Sequence, residues 1–330
     1  MPASMVRAVA ACALAFGLSV SAQAGEVRLL SFGGASNLPI WMAQEKGFME
    51  KEGVQLTFAT TNGSVEQIRD FYAGKYDVIS TAFDNIVAYA EGQSDIPLPG
   101  PFDMFAFMGG HGGMNTLMVR PQIKGYADIK GKTVAVDALK SGYGIVLYQI
   151  LKDKGGLEFD KDYKAISVGN TDKRIEAMRA DKAVAAIIGS PQDMAVEREG
   201  YHMLADAAQE LGAYQGTAFI TRRAYAAEKE ADLVAFARAM AKAQDHIFAN
   251  KADSIEVLKR RAKGLTDAEA ERLYTRLTGP GGLNPHGAIN PKAIETVLRI
   301  RETYGEPLKK MGPMSRYVDT TIYDKAMAGQ

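Results

Sequence analysis

Small polar residues recur at the points where predicted strands end and helices begin. Such loops can bind a small molecule, because hydroxyls, amides and the free backbone N–H groups at helix starts can donate and accept hydrogen bonds toward one place. Six of these loops lie between residues 33 and 192, and they contain few fixed charges. We predict that the ligand-binding residues are Ser36, Asn37, Ser64, Phe83, Asp84, Asn85, His111, Asn115, Ser141, Tyr143 and Ser190.

Many of these side chains also have a purely structural interpretation. A hydroxyl just before a helix, such as Ser64 or Ser141, can cap the helix and contact no ligand. Asp84 and Asp137 could hold a cationic solute, or they could be carboxylates that the positive end of a helix stabilises. Both interpretations stay open at this point. The predicted site depends on the six loops converging.

His111 lies among the four glycines of residues 109–113. We expect this stretch to be a loop, because glycine destabilises regular elements. The histidine could be catalytic, could contact a ligand or could lie in a hinge. No G-x-S-x-G sequence is present to supply a nucleophilic serine. We therefore predict no catalytic residue and no enzyme activity.

The composition argues against several other classes of protein. Lys plus Arg and Asp plus Glu number 39 each, and no basic run is present, so nucleic acid is not an expected partner. Four histidines without metal-ligand spacing predict no metal site, and no cofactor is expected. Cys12 is the one cysteine of the sequence.

Residues 1–24 have the parts of an export signal. Arg7 precedes an apolar run over residues 8–20, and Ala22-Gln23-Ala24 has the small-x-small pattern that signal peptidase cleaves. We predict cleavage after this pattern and a periplasmic protein. A membrane anchor is the alternative, although the apolar run is shorter than the roughly 20 residues of a spanning helix. Lipidation of Cys12 is a second alternative.

The loops follow a repeated order of strand, small polar loop and helix. This order is typical of an α/β fold with a mainly parallel sheet. It runs through residues 25–113 and restarts over residues 114–221. Residues 222–330 have only helical patterns, with apolar residues on one face. We expect this helical segment to pack on the first unit, so that two separated stretches form lobe 1 and the middle stretch forms lobe 2.

Several short motifs resemble one protein family in their order and spacing. They are Lys46-Gly47-Phe48, Glu52-Gly53-Val54, residues 73–78, residues 117–119 leading to 129–136, and residues 177–181. The chain resembles the ABC-transporter periplasmic solute-binding proteins of the nitrate, sulfonate and taurine group, which also includes binders of thiamine-pyrimidine precursors.

This resemblance implies a type II periplasmic-binding-protein fold, in which two Rossmann-like lobes are joined by a hinge and close on a ligand. It implies a small-molecule solute and an ABC transporter permease in the inner membrane as partners, and a monomer. Some fungal relatives are enzymes with a cysteine-rich segment, from which a mature chain without cysteine departs.

We therefore expect a periplasmic solute-binding component of an ABC importer, which captures a small organic solute, anionic or aromatic/heterocyclic, in the interlobe cleft by hinge closure. The alternatives are a periplasmic enzyme on the same scaffold and a ligand-sensing receptor subunit. The sequence does not identify the solute.

Overall fold

The computed structural model describes residues 25–328, so the predicted signal peptide and its cleavage site lie outside the described residues. The described chain forms ten strands in two five-stranded sheets. The strands are β1 (Gly25–Ser31), β2 (Val54–Thr60), β3 (Val78–Ala82), β4 (Met104–His111), β5 (Thr116–Val119), β6 (Thr133–Val136), β7 (Lys164–Ser167), β8 (Ala185–Ile188), β9 (His202–Asp206) and β10 (Thr217–Arg222).

Helices connect these strands and continue beyond the last of them. They are α1 (Leu38–Glu45), α2 (Phe48–Lys51), α3 (Ser64–Tyr72), α4 (Phe83–Glu91), α5 (Gly142–Gly155), α6 (Thr171–Arg179), α7 (Gln192–Glu197), α8 (Ala207–Leu211), α9 (Arg223–Glu228), α10 (Glu230–Ala249), α11 (Lys251–Arg261), α12 (Asp267–Thr278), α13 (Pro291–Tyr304) and α14 (Thr321–Ala328). Short 3-10 turns occur at Ala35–Asn37, Tyr126–Ile129, Pro285–Gly287 and Met314–Arg316. Within residues 25–328, none of the helices has the length and apolar character that crossing a bilayer requires.

The first sheet has the strand order β2-β1-β3-β10-β4. β1 is parallel to β2 and to β3, whereas β10 runs antiparallel to β3 and β4. The predicted α/β class is therefore confirmed. We expected the chain to return to the first lobe at residue 222. Residues 217–222 already belong to this sheet, so the return occurs earlier, at the start of β10.

The second sheet has the order β7-β6-β8-β5-β9. β6 is parallel to β7 and β8, and β5 is antiparallel to β8 and β9. The chain passes between the two sheets from β4 to β5 and again from β9 to β10. These two crossings form the waist of a two-lobed molecule, as the predicted fold requires.

The glycine-rich stretch differs from its prediction as a loop, because β4 continues through Gly109 and Gly110 to His111. The strand β10 and the turn near Ala288 pack closely on it. A Cβ atom on Gly109 would lie 2.7 Å from the carbonyl oxygen of Ala288. The glycines therefore serve close packing of one strand against its neighbours.

The C-terminal helices cover the first sheet, as predicted. Leu233, Phe236 and Met240 of α10 are fully buried, and α10 packs against α1, α2 and β1. Two later helices also contact the second lobe. α13 packs between α4 and α5, and Arg276 of α12 forms an ion pair with Asp193 at 2.6 Å.

Candidate ligand-binding site

A cavity separates the two lobes at the ends of their strands. The space between its walls, counted together with its open mouth, is about 760 Å³. Its lining contains polar and apolar groups from both lobes. The lining residues are Ser31, Phe32, Gly33, Gly34, Ser36, Ser80, Ala82, Asn85, His111, Met114, Asn115, Asp137, Ser141, Gly142, Tyr143, Thr171, Arg174, Gly189, Ser190 and Thr217.

Seven of the eleven predicted binding residues line this cavity together. Their loops converge because the strands of each sheet end at the same edge, where helix starts project free N–H groups. These residues are Ser36, Asn85, His111, Asn115, Ser141, Tyr143 and Ser190.

The loop after β1 forms the wall that the first lobe contributes. Gly34 has a φ of 134°, a backbone conformation that favours glycine. This bend lets the backbone amide of Ala35 donate a hydrogen bond to the carbonyl oxygen of Ser190 in the second lobe, at 2.8 Å. The two lobes are thus in direct contact at the rim of the cavity.

The start of α5 forms the opposite wall. The Ser141 hydroxyl accepts a hydrogen bond from the Gly144 amide and donates one to the carbonyl oxygen of Ala138, so it caps the helix. The Gly142 amide donates across the cleft to the side-chain oxygen of Asn85 at 2.9 Å. Tyr143 follows directly and presents its ring to the cavity. Ser141 is therefore both a cap and a lining residue.

His111 is buried at the end of β4. Its Nδ1 accepts a hydrogen bond from the Gly113 amide at 3.0 Å, which leaves Nε2 as the protonated nitrogen of a neutral ring. Burial, with a further contribution from the nearby charge of Arg276, lowers the pKa of His111 to about 4. At neutral pH the imidazole is an uncharged hydrogen-bond donor on the cavity wall.

Asn37 and Ser64 do not line this cavity. The Asn37 amide donates to the carbonyl oxygen of Phe32 at 2.7 Å and its oxygen accepts from the Ser31 hydroxyl, so the side chain holds the loop after β1 in shape. Ser64 contributes its backbone amide to the Asp137 carboxylate at 3.2 Å, and its side chain lies beside a different, smaller cavity.

Phe83 and Asp84 are also absent from the lining. α4 begins directly after β3, without an intervening loop, so these two side chains are directed into the interior. Phe83 is fully buried among apolar residues. Asp84 forms a buried ion pair with Arg301 of α13. Of the two predicted aromatic residues Phe83 and Tyr143, Tyr143 alone lines the cavity.

The most informative residue that sequence reasoning missed is Arg174 in α6. The surrounding Thr171-Asp172-Lys173-Arg174 reads as the polar first turn of an exposed helix. In the structure Arg174 is only 8% exposed and lines the cavity, where its Nη2 donates to the Thr171 hydroxyl at 2.9 Å. The one available signal was its position in a strand-to-helix connection.

The site has the properties of a binding pocket. The Ser190 hydroxyl donates to Asp193 at 2.9 Å and the Ser141 hydroxyl donates to a carbonyl oxygen, so neither is bonded to His111 as a nucleophile would be to its base. Within residues 25–328, no three His, Cys, Asp or Glu side chains are grouped so that they could hold a metal ion.

Comparison with known proteins identifies the family. Residues 35–254 match the family model described as NMT1/THI5 like. YtlA of Bacillus subtilis (strain 168), which is named as a candidate binding protein, is 24% identical over 292 residues, covering 87% of this chain and 85% of YtlA.

Solved structures share the fold. The alkanesulfonate-binding protein SsuA from Xanthomonas axonopodis pv. citri, bound to MOPS, has a TM-score of 0.69 at 19% identity, covering 86% of this chain and 93% of SsuA. The periplasmic nitrate-binding protein NrtA from Synechocystis PCC 6803 has a TM-score of 0.75 at 13% identity, covering 93% of this chain and 89% of NrtA. The match over more than half of its residues shows that the chain belongs to the NMT1/THI5-like family, and its fold is that of periplasmic binding proteins.

Proposed function

We propose that the protein is the periplasmic solute-binding component of an ABC importer, which captures a small organic solute, anionic or aromatic/heterocyclic, between its lobes. The observation that carries this proposal is a cavity whose walls come from both lobes, with hydrogen bonds that join the two lobes around it. These bonds link Ala35 to Ser190, Asn170 to Asn62, and Gly142 to Asn85.

Such a cavity couples binding to closure. A solute that touches both walls stabilises the closed form relative to the open form, whereas one that touches a single wall shifts nothing. The proposed moving units are the first lobe, with residues 25–113, β10 and the C-terminal helices, and the second lobe, from residue 114 to the start of β10. Export by residues 1–24, a monomeric state and delivery to a membrane permease complete the proposal.

Gly142 offers a direct test of whether the two lobes close when the solute binds. A Cβ atom there would lie 3.0 Å from the Cβ atoms of Ala82 and Asp84 across the cleft, so Gly142→Ala hinders the approach of the lobes. Gly125→Ala is the control, because a Cβ atom at Gly125 has no neighbour within 4 Å.

The experiment begins with a compound identified by mass spectrometry after denaturing the purified protein, or found by isothermal titration against sulfonates, aromatic acids and pyrimidines. We expect Gly142→Ala to bind it more weakly and to lose the solute-dependent decrease in radius of gyration in X-ray scattering. Gly125→Ala should behave as wild type. A protein that converts the compound, with turnover lost in His111→Ala, would be an enzyme, and a protein that binds none of these compounds would contradict the proposal.

A further inference from the structure

Arg174 is a buried cation that forms no direct salt bridge. No carboxylate in the described part of the chain lies within 4.0 Å of its nitrogens, and its Nε has no hydrogen-bond partner. Its contact with the Thr171 hydroxyl satisfies only one of five N–H groups. Burial lowers the pKa of Arg174, but an arginine stays charged in a protein. The Asp137 carboxylate favours this charge from a longer distance, but the guanidinium nitrogens still lack the direct partners that a buried charge needs.

The other free groups on the cavity wall are also donors. The Tyr143 hydroxyl donates to no group of the protein, and burial raises the pKa of Tyr143, although the neighbouring Asn115 amide lowers it in part. The Nε2–H group of the neutral His111 ring is a third donor, because its Nδ1 is already occupied as an acceptor.

Two side-chain acceptors of the cavity, in Asp137 and Asn85, are engaged within the protein. Both oxygens of Asp137 accept from the Ser64 amide, at 3.2 and 3.3 Å. The Asn85 oxygen accepts from Gly142. A solute that pairs with the Arg174, Tyr143 and His111 donors must bring acceptors, whereas an ammonium group would lie near a buried guanidinium.

We propose that this cavity takes the acidic head of a monoanionic solute, a carboxylate or a sulfonate, with Arg174 as the pairing base and with Tyr143 and His111 as neutral donors. The inference rests on the proposed function and names its substrate class. One guanidinium, whose charge the Asp137 carboxylate already offsets in part, can pair directly with one negative charge. The carboxylate of Asp137, on the same cavity wall, disfavours a dianion such as a phosphate monoester.

Pairs of probes with equal shape and different charge test this inference. Isothermal titration compares benzoate with benzamide and nicotinate with nicotinamide, and adds benzenesulfonate, benzylamine and phenyl phosphate. We expect the monoanions to bind about 10- to 150-fold more tightly than the amides, the range typical of a hydrogen bond to a charged group. Benzylamine and phenyl phosphate should bind more weakly than benzoate.

Variants of two arginines on the same helix locate the effect. Arg174→Met should weaken benzoate or nicotinate binding at least tenfold, and Arg174→Lys should keep part of it, because lysine retains the charge but loses the planar fork. Arg179→Met is the control, since Arg179 is exposed and pairs with Glu199 outside the cavity. Circular dichroism without probe shows whether each variant folds. If Arg174→Met does not fold, the same titrations with Tyr143→Phe test the inference independently, and weaker binding of the monoanions is the expected result.

The outcomes separate this inference from the proposed function. Monoanion binding that Arg174→Met loses and Arg179→Met keeps supports the inference. Equal or tighter binding of amides or benzylamine, unchanged in Arg174→Met, overturns it and leaves the proposed function intact. If no probe of any charge binds, the inference fails, and the proposed function fails with it only when the broader solute panel also gives no binding.

Discussion

Asp84 and Arg301 form an ion pair from which water is excluded, with side-chain exposures of 2% and 0%. The pair joins α4 of the first lobe to α13 near the C-terminus. Arg301 also donates to the carbonyl oxygen of Lys140, in the second lobe, at 3.0 Å. One guanidinium of α13 therefore links α4 of the first lobe to the loop that leads to α5 in the second lobe.

The first prediction concerns this link. Removing one partner of a buried pair leaves an uncompensated charge, which typically costs about 3–5 kcal/mol. We expect Arg301→Met to lower the free energy of unfolding by about that amount, measured by urea denaturation at pH 7. Arg299→Met, on an exposed position of the same helix, should change it by less than about 0.5 kcal/mol. Equal effects of the two substitutions would contradict the role assigned to Arg301.

The second prediction concerns the contact between Asp137 and Ser64. The carboxylate accepts the Ser64 amide across the cleft, at the start of α3, where a negative charge is favourable. Asp137→Ala should therefore favour the open form and weaken solute binding by about tenfold or more. X-ray scattering with saturating solute should show a larger radius of gyration than wild type. Asp172→Ala, on an exposed position of α6, is the control and should leave both quantities unchanged.

The sequence was sufficient to predict the order of strands and helices and the burial of the α10 face, because hydrophobic periodicity is a local property. It was also sufficient to bring Ser36, Tyr143 and Ser190 into one site, since strand-to-helix loops gather at one edge of a sheet.

Positions that depend on tertiary contacts were not predictable in this way. Asp84 was uncertain because its partner, Arg301, lies 217 residues away in sequence. Phe83 points inward because β3 passes directly into α4, and the pattern alone does not show the missing loop. Arg174 was missed because a charged residue in a polar helical turn usually faces solvent.

The third prediction is a pH dependence of stability. The pKa of His111 is lowered to about 4 in the folded protein, from an ordinary value of 6.5. Between these values the unfolded chain binds more protons at this site, so stability falls as the pH decreases from about 6.5 toward 4. The difference corresponds to about 3 kcal/mol from this one group. Denaturant unfolding at pH 7 and pH 5 should show a smaller loss for His111→Gln than for wild type, and the same loss in both proteins would contradict the burial effect.

The last prediction concerns the close packing of β4. A methyl group on Gly109 would lie 2.7 Å from the backbone oxygen of Ala288 and 3.1 Å from the Asn284 side chain, and the backbone has little freedom to move. Overpacking of this kind typically costs about 1–3 kcal/mol, so we expect Gly109→Ala to lower the free energy of unfolding by that amount. Gly100→Ala is the matched control, because its added methyl group would make an ordinary contact with the Tyr72 ring at 3.6 Å. If Gly109→Ala unfolds at the same urea concentration as wild type, then β4 and the turn near Ala288 can separate at no cost, and the strand does not need glycine at this position.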